Sequence, residues 1–67
     1  MALCFYALVM NPKDKAPVCR VLRAMSIRGC KREIRTVYLD CGGVGVIYDG
    51  NPTNSLHSAK EVGRVSA

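Results

Sequence analysis

Four cysteines, one histidine and a dense run of cations are the residues of this 67-residue chain with types suited to chemistry. Cys4, Cys19, Cys30 and Cys41 are separated by 15, 11 and 11 positions, so no two share the C-x₂₋₄-C spacing that lets one tight turn present two thiolates to zinc. Four cysteines in 67 residues also fall below the density of secreted disulfide scaffolds. The expectation is buried or unpaired thiols in a reducing compartment. His57 lies in a turn-rich stretch, and nothing in the sequence places it beside a cysteine as base to nucleophile. It reads as an exposed or RNA-facing residue. Gly43-Val44-Gly45 begins a G-x-G, but Tyr48 stands where the dinucleotide fingerprint needs its third glycine. Asn51-Pro52-Thr53 is no glycosylation site because of the proline. Five Asp and Glu leave no catalytic carboxylate pair standing out, and a chain this short has little room for an enclosed pocket. Neither an enzyme nor a cofactor or metal is expected.

The cations are a stronger signal. Ten Lys and Arg against five Asp and Glu give a net charge of +5, and the charge is uneven. Lys13, Lys15, Arg20, Arg23, Arg28, Lys31, Arg32 and Arg35 are opposed only by Asp14 and Glu33, so this segment carries +6 and the remainder −1. Concentrated cations neutralise phosphates and release counterions, which gives affinity without sequence choice. Five of the eight are arginines, whose planar fork matches phosphate and stacks on bases. All eight are candidate RNA contacts. Arg28-Gly29-Cys30-Lys31-Arg32 reads as the most exposed loop, with a glycine letting backbone N–H groups approach phosphate.

The elements that must position these residues are legible in part. Residues 1–10 are apolar, too short to span a bilayer, and lack the basic start and cleavage site of a secretory signal. Phe5, Tyr6 and Val9 favour a strand buried on both faces. Asn11-Pro12-Lys13-Asp14-Lys15 is a break. Val18, Val21, Leu22 and Met25 fall at helical spacing between Pro17 and Gly29, which favours a helix, yet the same residues also alternate as a strand would. Ile34-Arg35-Thr36-Val37-Tyr38-Leu39 is β-branched and aromatic and reads as a strand. Cys41-Gly42-Gly43 turns it into a partner strand, Val44 to Tyr48, with Tyr38 and Tyr48 able to face each other across the hairpin. Asp49-Gly50-Asn51-Pro52 is a second turn. Ser58-x-x-Glu61 has the form of a capping box for a short helix that Gly63 weakens.

The stretch Val18 to Asp40 resembles the small-subunit ribosomal protein twenty-eight family of eukaryotes and archaea. The family pattern is close to V-x-K-V-L-G-R-T-G-S-R-G-x-x-x-Q-V-R-V-x-F-L-D. Val18, Val21, Leu22, Arg28, Gly29, Arg35, Leu39 and Asp40 match it, and Arg20, Glu33, Ile34 and Tyr38 replace Lys, Gln, Val and Phe conservatively. Ser58-Ala59-Lys60-Glu61-Val62-Gly63-Arg64-Val65 faintly echoes the closing S-E-R-E-A-R-R-L. The family's glycine loop is Arg23-Ala24-Met25-Ser26-Ile27 here, and its R-N-V-K-G-P run is missing. The matches cover about a third of the chain. The resemblance implies an OB-type β-barrel, a strand over Val18 to Ala24, a hairpin connection over Arg28 to Arg32, and contact with small-subunit rRNA near the mRNA exit region.

These readings combine into one expectation. The chain is a single domain, all-β, a small OB-like barrel with a buried strand over 1–10, a β core with a basic loop over 18–48 and a short C-terminal tail over 53–67. The alternative is α+β in the order β-α-β-β. The expected role is a structural constituent of the small ribosomal subunit in the cytoplasm, with rRNA and neighbouring small-subunit proteins as partners and neither a membrane nor a small-molecule substrate. The alternative role is a protein-binding regulator whose Phe5, Tyr6, Leu8 and Met10 form an exposed strand or patch for a partner's sheet edge.

Overall fold

In the computed structural model, which describes residues 4–53 and 59–67, the apolar N-terminal run becomes the strand β1 (Tyr6–Met10). It pairs antiparallel with β2 (Val18–Val21) on one side and β3 (Val44–Tyr48) on the other, and β4 (Glu61–Ser66) pairs antiparallel with β3. The strand order is β2-β1-β3-β4. The molecule is therefore mainly sheet, with one helical segment between β2 and β3. The sheet is open: β2 and β4, whose pairing would close a barrel, are its two edges among the described residues.

Period-two alternation puts Ala7 and Val9 of β1, Gly45 and Ile47 of β3, and Gly63 and Val65 of β4 on one face. The helical segment covers that face. It starts at Ser26, whose hydroxyl accepts from the Gly29 N–H at 3.1 Å, and runs as α1 over Ile27–Glu33. It continues without a break as a π-helix over Ile34–Tyr38, where the Leu39 N–H donates to the Ile34 carbonyl five residues back at 2.9 Å. Cys30 and Ile34, four residues apart, are fully buried, and with Ala7, Val9, Leu22, Ile47 and Val65 they make the core. A Cβ on Gly45 would lie 2.8 Å from Ile34 Cγ2, and one on Gly63 would lie 3.2 Å from Ile27 Cγ2. The two glycines thus form the hollow into which the helix settles.

Five sequence expectations change here. β1 is buried on alternate residues rather than on both faces, because the helical layer covers one face; Met10 stays exposed. The segment 33–40 is helical, not a strand. Cys30, Ile34 and Tyr38 recur at helical spacing toward the sheet, and that burial outweighs a β-propensity spanning only about 1 kcal/mol. Arg28 to Arg32 is accordingly helix and not a hairpin loop. Val18–Val21 is the strand that alternation and the resemblance indicate, and not the helix that the spacing of Val18, Val21, Leu22 and Met25 favours, because its backbone pairs with β1. The end of the chain is an ordered strand, with Val65 buried, rather than a loose tail or helix. Ser58 and His57 lie outside the described residues.

Asn11 closes the structure at the far end of β1. Its side-chain amide donates to the Tyr38 carbonyl at 2.9 Å and its carbonyl oxygen accepts from the Asp40 N–H at 2.8 Å. Its own N–H donates to the Asp14 carboxylate at 2.9 Å. Gly42 follows at φ +86° in the turn from Asp40 to Gly43, a backbone position suited to glycine.

The helix-to-sheet approach makes a direct prediction. Gly45→Ala should destabilise the protein by about 1–3 kcal/mol through overpacking against Ile34. Adding Ile34→Ala, which removes the Cγ2 methyl that the new Cβ meets, should cost less in that background than in the wild type. Urea unfolding of the two single variants and the double variant measures the coupling, and strictly additive effects would contradict it.

Candidate nucleic-acid interface

The helix that buries Cys30 and Ile34 turns its cations to the other side. Arg28, Lys31, Arg32 and Arg35 stand at i, i+3, i+4 and i+7 and line an open cleft of about 550 Å³ together with Ser26, Gly29 and Thr36. Arg28, Arg32 and Arg35 are exposed. Lys31 is half-buried, with its stem 3.4 Å from where a Cβ on Gly63 would sit, so its apolar portion packs on β4. Among the described residues no aromatic side chain lines this cleft.

None of these four charges is ion-paired among the described residues. Among the described residues the one ion pair is Arg64 with Glu61, at 2.6 Å on the surface of β4. That pairing holds the Glu61 carboxyl below its ordinary range and raises the Arg64 guanidinium further. Glu33, the carboxylate within the helix, is engaged elsewhere. It accepts from the Arg23 N–H at 3.0 and 3.1 Å and from the Ala24 N–H at 2.9 Å. The acid that follows Arg32 therefore caps the end of β2 and leaves the cationic face unopposed. Unpaired like charges within two turns repel each other, and a polyanion relieves that repulsion.

The other four predicted contacts are not brought to the cleft. Lys13 and Lys15 are exposed in the connection from β1 to β2, and Arg23 is exposed just past β2. Arg20 projects from β2 onto the helical side of the sheet, its guanidinium carbon 5.1 Å from the centre of the Tyr38 ring. Tyr38 ends the π-helix while Tyr48 lies on β3, opposite Tyr6 on the other face of the sheet. The two tyrosines do not face each other across a hairpin. Sequence reasoning missed Asn11 and Glu33, whose roles are long-range backbone contacts with no local pattern. Ser26 did carry a local signal, as a capping residue immediately before Ile27-x-x-Cys30.

The four cysteines are free. Burial pushes the Cys30 thiol up, helped by the nearby Glu33 charge, and its Sγ lies 3.8 Å from the Ala24 carbonyl oxygen. Cys4 and Cys41 are exposed. No described helix is long and apolar enough to cross a membrane. The chain matches no family model, no curated protein and no solved structure.

Removing the Glu33 carboxylate strips two backbone N–H groups of their acceptor. Glu33→Ala should lower stability by roughly 1.5–3 kcal/mol, the range for hydrogen bonds to a charged group. Amide hydrogen exchange at Arg23 and Ala24 should accelerate while exchange at Ala7 and Ile47 changes only by the global amount. Unchanged exchange at Arg23 and Ala24 would remove Glu33 from its capping role.

Proposed function

We propose that this protein binds RNA through the cationic face of the helical segment, as a non-enzymatic structural component of the small ribosomal subunit. The observation that carries the RNA reading is the set Arg28, Lys31, Arg32 and Arg35: four cations on one face, none ion-paired among the described residues, around an open cleft. Ser26 and Thr36 add hydroxyls to the same rim. Cations and hydroxyls without an aromatic platform suit the phosphate–sugar backbone of folded RNA better than unstacked bases. Small-subunit rRNA, with its cytoplasmic location and neighbouring ribosomal proteins, is the particular target that the matches between Val18 and Asp40 support. An OB-like barrel belongs to the same resemblance and would require β2 and β4 to meet. The RNA reading does not depend on that closure, because the cations are carried by the helix.

The alternative role, with β1 as an exposed strand pairing to a partner's edge, finds less support. Both edges of β1 are already occupied, by β2 and β3.

Neutralising four phosphates predicts a slope of about −3.6 for log K against log[salt] with duplex-type RNA. Replacing Arg28, Lys31 and Arg32 with Ala should flatten that slope by about 2.7 and weaken binding at low salt, without loss of fold by circular dichroism. A slope that stays the same in the triple variant would refute the assignment of this face.

A further inference from the structure

The cations left outside the cleft surround a second feature, the edge of β2 that is unpaired among the described residues. In antiparallel pairing, hydrogen-bonded and non-hydrogen-bonded residue pairs alternate. The Leu22 N–H donates to the Phe5 carbonyl at 2.8 Å. Counting along the register from that bond, Arg20 and Val18 also direct their backbone groups inward, to Ala7 and Val9. Cys19 and Val21 therefore direct theirs outward, away from the sheet. The next outward N–H, that of Arg23, is already taken by the Glu33 carboxylate. What remains is a short ladder of two N–H and two C=O groups, bounded at one end by that cap and at the other by Pro17.

The surroundings of this ladder select its occupant. Val21 is 58 % exposed and Val18 is 37 % exposed, an unusual amount of apolar surface for an edge strand. Lys13 and Lys15 lie beyond one end, Arg23 at the other and Arg20 between, and none of them has an ion-pair partner among the described residues. A second copy of this edge would set Arg20 against the same cations and repel. The opposite edge, β4, differs in carrying the paired charges of Arg64 and Glu61.

We infer that the β2 edge takes up an extended acidic peptide segment of a partner protein by strand addition. Main-chain hydrogen bonds to Cys19 and Val21 hold it, apolar side chains at alternate positions cover Val21, and carboxylates between them face Arg20. RNA is the rival occupant of these cations. The exposed valines and the alternation of N–H with C=O groups favour a peptide, because phosphate oxygens accept from N–H groups but neither donate to a carbonyl nor cover an apolar side chain.

The probe is an eight-residue peptide of alternating Val and Glu with blocked ends, titrated into ¹⁵N-labelled full-length protein. Binding should shift and protect the Cys19 and Val21 amides. A Val–Lys peptide of the same length should bind at least tenfold more weakly. Cys19→Pro, which deletes an outward N–H and no ladder bond to β1, should weaken binding at least tenfold. A second arm leaves the protein untouched: N-methylating the Val–Glu peptide at alternate residues should abolish binding. The Arg28, Lys31 and Arg32 triple Ala variant should bind the peptide as the wild type does, so failure of the RNA reading and failure of this one are separable. Equal binding of the Val–Lys or the N-methylated peptide would overturn the proposal. So would shifts confined to the helix, or perturbation of Cys19 and Val21 by an RNA oligonucleotide instead of the peptide.

Discussion

The structure depends on the close approach of Ile34 to the backbone at Gly45. Where a side chain would stand on β3, Ile34 Cγ2 occupies the space, within 2.8 Å of the missing Cβ. Only because Gly45 and Gly63 are bare can a helix lie this near a four-stranded sheet in so small a protein. A core of seven buried apolar residues among those described has no depth to spare, since chains of this size rarely gain more than about 3–5 kcal/mol from their core. Close packing supplies what area cannot.

That same contact sets the direction of every charge on the helix. With Cys30 and Ile34 inward, helical periodicity sends Arg28, Arg32 and Arg35 outward, and Lys31 reaches out along the flank. Glu33 falls between the two faces and is drawn to the exposed end of β2, where it meets two backbone N–H groups. One carboxylate thereby finishes a strand edge and leaves the cationic face without a counter-ion. Arg20 is held by the Tyr38 ring on the side of β2, so the eight cations that are contiguous in sequence divide between a helix face and a strand edge. The division follows from topology: the chain passes from β2 at the sheet's edge to the helix that crosses behind it.

How much of this was legible in the sequence follows from how local each signal is. The strands Tyr6–Met10 and Val44–Tyr48 and the turn at Gly42 rest on β-rich composition and glycine, and were readable. So were the identity and sign of the candidate site residues. The helix was not, because Ile34, Thr36, Val37 and Tyr38 are β-formers whose helical state is decided by the pocket above Gly45, some ten residues further along the chain. Ser26, a capping residue type immediately before Ile27, is a local cue that the β-forming composition after it masks. β4 was obscured in a different way. Gly63 weakens a helix and a strand alike when read alone, and its value appears only once Ile27 and Lys31 are packed over it. The grouping of four cations rather than eight is likewise a product of the fold.

The central claim is that this protein works bound to RNA through its helix. Sedimentation of the tagged protein from a native lysate through a sucrose gradient, with and without ribonuclease, tests that most directly. The account predicts comigration with small ribosomal subunits, loss of that comigration after ribonuclease, and its weakening when Arg28, Lys31 and Arg32 are replaced with Ala. Recovery at the top of the gradient whether or not ribonuclease is added would contradict it.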